Sequence, residues 1–154
     1  MPVIKCHHHG FTVSDAERSI TFYRDLLGLE VVRVSERRDL PSYDRMLGHD
    51  NVVLKVAILC HPVNDFILEL VEYKNPVGRK RELDNPFIGS SHLAFEVDDV
   101  DAVYKLLGDA GYGAINPPVD VERDGIAVAR AMYGLDTDGI SIEIFQEFED
   151  VIKK

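Results

Sequence analysis

Two histidines and two glutamates carry the chemistry of this chain. His8 opens the segment His8-His9-Gly10-Phe11-Thr12-Val13-Ser14-Asp15, and His92 opens His92-Leu93-Ala94-Phe95-Glu96-Val97-Asp98-Asp99. The second segment repeats the first at a distance of 84 positions, from 8 to 92. Glu69 sits in Ile67-Leu68-Glu69-Leu70 and Glu143 in Ser141-Ile142-Glu143-Ile144, a second pair of related segments. Each half therefore supplies one imidazole and one carboxylate, and such a set can hold one divalent ion: Zn, Ni, Co, Mn or Fe(II). A carboxylate flanked by leucines in a strand is costly to bury unpaired, and a bound cation removes that cost. Four protein ligands leave room on a five- or six-coordinate ion for water or substrate. An open position marks a catalytic site rather than a structural one.

The elements that must position these residues repeat in the same way. Residues 3–13 read as a strand, and Ser14-Asp15-Ala16-Glu17 reads as a capping box with Ser14 at the N-cap. Ile20, Tyr23 and Leu27 continue at helical spacing until Gly28 ends the helix. Strands are predicted at 30–36, 52–59 and 66–73, with 38–50 irregular and a turn at His61-Pro62-Val63-Asn64-Asp65. The order restarts with a strand at 91–97 and a helix at 99–110, and further strands are predicted near 114–121, at 126–133 and at 140–145. The expected fold is therefore α+β: tandem βαβββ modules whose curled mixed sheet turns one face into a cup-shaped metal site. The modules span 1–76 and 90–146, with a Pro- and Gly-containing linker at 77–89 and a charged tail at 147–154.

Alternation along each strand decides which side chains enter the cup. Phe11 and Val13 should face the helix, which leaves His8, Gly10 and Thr12 on the other face. Leu93, Phe95 and Val97 likewise oppose His92. Leu68 and Leu70 oppose Glu69, and Ile142 and Ile144 oppose Glu143. His7 and His9 point with Phe11 and are not ligands. Glu72 falls on the face opposite Glu69, and His49 and His61 sit in turns. Arg33, Lys55, Arg130 and Tyr133 are candidates to line the cup and bind an anionic group of a substrate, and Cys6 shares the His8 face.

Composition excludes several classes. The 154 residues carry a net charge of −10, and the pI is about 4.9, so nucleic acid is not an expected partner. Mean hydropathy is −0.09, and no apolar run reaches the ~18 residues of a membrane span. With no leader pattern at the N-terminus, the expected compartment is the cytoplasm. Cys6 and Cys60 form no CxxC pair and read as free thiols of a reducing compartment.

The opening His8-x-Gly10, Val13-Ser14-Asp15 and Phe22-Tyr23-Arg24-Asp25-Leu26-Leu27-Gly28-Leu29 resemble the vicinal oxygen chelate superfamily. That superfamily includes glyoxalase I, methylmalonyl-CoA epimerase, extradiol dioxygenases and the fosfomycin and bleomycin resistance proteins. Asp136-Thr137-Asp138-Gly139-Ile140-Ser141-Ile142-Glu143 is similar to its closing DPDG-x-x-IEL pattern, with Thr137 in place of Pro. The resemblance spans roughly 4–146. It places His8, Glu69, His92 and Glu143 on the four metal positions. It implies a metal-dependent lyase or isomerase of glyoxalase type, acting on a small substrate with vicinal oxygens through an enediolate-like intermediate. Glu143 or Glu69 would be the catalytic proton carrier. The other readings are an Fe(II) extradiol-type dioxygenase and a non-catalytic drug-binding protein. Homodimers are common in the superfamily, so one is expected here.

Overall fold

A computed structural model describes residues 2–81 and 83–148. The chain divides into two compact units, Met1–Arg81 and Glu82–Lys154. Each unit holds one mixed four-stranded sheet. The strand pairing thus gives two sheets, one per repeat, and the fold is α+β as expected.

The first unit contains β1 (His9–Thr12), α1 (Ala16–Thr21) with a π-helical turn at Phe22–Leu26, β2 (Glu30–Arg37), α2 (Pro41–Leu47), β3 (Val53–Cys60) and β4 (Ile67–Asn75). The sheet order is β1-β4-β3-β2. β1 runs parallel to β4, and the other pairs are antiparallel. The N-cap of α1 is Asp15 rather than Ser14. The Asp15 carboxylate accepts the Arg18 N–H at 3.1 Å, while the Ser14 hydroxyl accepts from the Arg18 guanidinium. Gly28 closes the helical run at φ 73°, a left-handed turn open to glycine.

α1 lies against β3 and β4. Leu68, Leu70, Ala57 and Leu59 are fully buried and pair with one another across the strands, so they share the face that α1 covers. Glu72 lies on that face too, and its carboxylate accepts the Ala16 N–H at 3.2 Å. It caps an orphan donor at the start of α1 and pairs with Lys74.

Residues 38–50 depart from expectation. Pro41 stands at the first turn of a helix and Gly48 lies just past its end at φ 69°. The two residues that suggest an irregular loop are the punctuation of α2. Asp44 fastens the segment leading into β3, its carboxylate accepting the N–H groups of Asn51 at 3.1 Å and Val52 at 2.8 Å. Tyr43 and Leu47 of α2 pack with Val52, Leu54 and Val56 and with Ile58, Val71 and Tyr73. These are on the opposite face from Leu68 and Leu70, so the first sheet is covered on both sides for part of its length.

The second unit contains β5 (Leu93–Glu96), α3 (Val100–Asp109), β6 (Val119–Arg123), β7 (Ile126–Leu135) and β8 (Ser141–Glu147), with sheet order β5-β8-β7-β6. Asp99 is the N-cap of α3, accepting the Ala102 N–H at 2.9 Å. Strand pairing over 114–121 is weaker than predicted. Pro117 and Pro118 lack the N–H a ladder needs, so β6 begins at Val119, preceded only by a bridge from Ala114 to Gly134. The strand expected over 3–13 shrinks to His9–Thr12. Glu147, placed in the tail by sequence, belongs to β8; the rest of the tail, beyond Phe148, lies outside the described residues. No helix among them is long and apolar enough to cross a membrane.

Candidate functional site

In the first unit, β1 and β4 run side by side with Gly10 opposite Glu69. His8 immediately precedes β1, and its Nε2 lies 3.4 Å from Glu69 Oε2. Gly10 leaves the space between them open. A Cβ there would stand 3.9 Å from both Glu69 Oε2 and His8 Cδ2. The same row of the sheet continues from Glu69 to Ile58 and on to Arg33. Directly opposed residues share a face, so Arg33 lies on the Glu69 face, one strand removed and exposed.

In the second unit, Ala94 stands opposite Glu143, and His92 immediately precedes β5. His92 Nε2 is 3.1 Å from Glu143 Oε2. Tyr133 pairs with Glu143 across β7 and β8, and its ring meets the His92 ring edge-on with centroids 5.3 Å apart. Burial, then the Glu143 charge and the hydrogen bond from the Tyr133 hydroxyl to Glu143, push this phenol above its ordinary pKa. Tyr133 thus joins the His92–Glu143 pair. At the matching register position of the first unit stands Ile58, which has no hydroxyl to offer Glu69.

The closing motif acts as a brace. Asp136 is buried, and its Oδ1 accepts the N–H of Asp138 at 2.9 Å and of Ile140 at 2.8 Å. The turn closes with the Asp136 N–H donating to the Ile140 carbonyl at 3.0 Å. Gly139 takes φ 84° within it. This turn delivers the chain to β8 and so to Glu143.

Lys55 and Arg130, expected beside the ligands, are turned the other way. Lys55 pairs with Glu72 in the ladder and its ammonium sits 2.6 Å from Glu17 of α1. That hydrogen bond, offset in part by desolvation, raises the Lys55 pKa. Arg130 grips Asp101 of α3 through Nε at 2.7 Å and Nη2 at 3.0 Å, and Asp120 of β6 through Nη1 at 2.6 Å. Both cations tie a helix to its sheet, which alternation from the ligand strands could not disclose without the register. His9 packs edge-on against Phe11, as alternation predicted; burial and then the neighbouring His8 lower its pKa. Cys6 is exposed and Cys60 half-buried, and both are free thiols.

Among the described residues no cluster of three or more His, Cys, Asp or Glu side chains able to hold a metal forms. Each unit by itself presents one imidazole–carboxylate pair. The spacing within each pair fits adjacent corners of a coordination sphere. With metal bonds of about 2.0–2.2 Å, two ligands at a right angle stand about 3.0 Å apart and at a tetrahedral angle about 3.4 Å.

Residues 5–144 match the model of the Glyoxalase/Bleomycin resistance protein/Dioxygenase superfamily, and the chain belongs to that family. It is 28% identical over 145 residues to the 2-epi-5-epi-valiolone epimerase of an Actinomyces species, across 92% of this chain and 78% of that protein. A crystal structure of a glyoxalase family protein from Bacillus cereus superposes with a TM-score of 0.85 at 19% identity, covering 96% of this chain and 97% of that one. The glyoxalase I of Leishmania major superposes with a TM-score of 0.64 at 22% identity, covering 98% and 92%. These two structures share the fold.

Proposed function

We propose that His8, Glu69, His92 and Glu143 together hold one divalent metal ion, and that the protein is a metal-dependent isomerase or lyase of glyoxalase type. The carrying observation is that each repeat brings its own His Nε2 and Glu Oε2 to within 3.1–3.4 Å, on the sheet face opposite the one covered by α1 in the first unit and by α3 in the second. A divalent ion bound there supplies Lewis acidity to a substrate that chelates it through two neighbouring oxygens. A glutamate of the set, Glu143 or Glu69, takes a proton from the carbon beside the carbonyl and returns it. Arg33, exposed on the Glu69 face of the first sheet, would receive an anionic end of the substrate. Among the reaction outcomes, epimerisation is supported by the name of the Actinomyces relative.

The test combines elemental analysis with Glu143→Gln, which keeps the shape of the side chain and an acceptor for Tyr133. Protein purified without a histidine tag should carry close to one divalent ion per chain. Proton transfer by a positioned carboxylate contributes roughly 10²–10⁴-fold, so the variant should lose at least that much turnover on an epimerisable 2-hydroxyketone while its unfolding midpoint is unchanged. Undiminished turnover in the variant would refute the assignment.

A further inference from the structure

His7 is no member of the four-ligand set, yet its ring meets the second nitrogen of a candidate ligand. We propose that His7 is a positioning residue that sets the tautomer of His8, and this rests on the reading of His8 as a metal ligand. The His7 and His8 rings meet edge-on with centroids 5.0 Å apart, and the two Nδ1 atoms are 2.7 Å apart. His8 Nε2 is the atom that faces Glu69.

A neutral imidazole carries its proton on one nitrogen and a lone pair on the other. A contact between two Nδ1 atoms needs one of each. If His7 donates, His8 Nδ1 accepts, the His8 proton sits on Nε2, and the atom facing Glu69 has no lone pair to give. If His7 accepts, His8 keeps its proton on Nδ1 and presents a lone pair at Nε2. Only the second arrangement lets His8 ligate beside Glu69. His7 in the Nε2–H form is therefore the outer partner that orients His8, as hydrogen-bonded groups behind ligating histidines do elsewhere.

The second repeat does this differently. Ser91 precedes His92, and the His92 ring rests against Tyr133 instead. The two histidines of the set are thus held by unrelated devices, and His7 is specific to the first.

The experiment compares zinc affinity, by competition with a chromophoric chelator, in the full-length wild type, His7→Phe, His7→Asn and His8→Ala. Asn offers an amide oxygen near the place of the histidine Nδ1, and Phe keeps the ring without an acceptor. His7→Phe should bind zinc about 10–100-fold more weakly, His7→Asn should restore most of that loss, and the unfolding midpoint of the zinc-free proteins should not move. Long-range proton–nitrogen NMR of the zinc-loaded wild type should show the His8 proton on Nδ1. The inference alone is overturned if His8→Ala loses zinc while His7→Phe binds as tightly as wild type; a His8 proton found on Nε2 overturns the ligation of His8 through Nε2 together with the inference. A wild type that binds no zinc or other divalent ion overturns the metal reading and this inference with it.

Discussion

Replacing Asp136 by alanine tests how the chain is brought to Glu143. One carboxylate oxygen holds two backbone donors, those of Asp138 at 2.9 Å and Ile140 at 2.8 Å. Each hydrogen bond to a charged acceptor is worth about 1.5–3 kcal/mol net. Asp138 and Ile140 are themselves half-exposed, so their N–H groups regain water once the carboxylate is gone, and part of that sum returns. The expected loss is about 2–4 kcal/mol. For a chain of this length, the corresponding fall in unfolding midpoint is roughly 5–15 °C. Asp136→Asn keeps an acceptor oxygen without the charge and should lose about half as much. The assay is thermal unfolding monitored by circular dichroism. Well below the transition, zinc affinity should be retained, because Glu143 is held by the β7–β8 ladder rather than by the turn. A midpoint for Asp136→Ala within a degree of wild type would show that the brace carries no energy, and an Asn variant as damaged as Ala would show that charge, not the acceptor, is what matters.

Gly134→Ala should destabilise by about 1–3 kcal/mol, since its new Cβ would meet the buried Leu107 side chain at 2.9 Å. Gly113→Ala is the control, with its Cβ only 3.8 Å from Leu135, and urea unfolding should rank the two clearly apart. Asp15 gives a pH signature. The backbone hydrogen bond from Arg18 is the first cause holding its carboxyl below the ordinary aspartate value. A depressed folded pKa means stability that is present above the unfolded aspartate range and lost as pH falls through the folded value. Asp15→Asn should flatten that part of the stability–pH curve while keeping the cap, and a curve that superposes on wild type would exclude Asp15 from the acid transition.

The repeat is legible in the sequence because it is carried by short segments whose chemistry and alternation agree. His8 with Glu69 and His92 with Glu143 lie together within their units as expected, although each histidine stands one residue ahead of its strand. The faces of the anchoring strands can be read from Leu68, Leu70, Ile142 and Ile144. Lys55 and Arg130 are misplaced by sequence alone because strand parity is relative. Without knowing that Ala57 opposes Leu70 and that Met132 opposes Ile144, the parity of β3 and β7 cannot be tied to that of β4 and β8. α2 escapes a reading by periodicity because its few turns have no apolar stripe long enough to detect, although Pro41 and Gly48 bracket it. Ser14 loses the cap to Asp15 because two good capping residues stand side by side, and only backbone geometry chooses between them. Alternation excludes His7 from the site, but that rule does not apply before β1 begins.

Between β2 and β3 the chain inserts α2, whereas β6 and β7 are joined by Asp124 and Gly125 alone, both at positive φ. That two-residue hairpin is the shortest link the twist of antiparallel strands favours. A duplicated architecture can thus keep its ladders fixed and vary only in its joints: one copy has spent the connection on a roof for its own sheet, and the other has kept it bare.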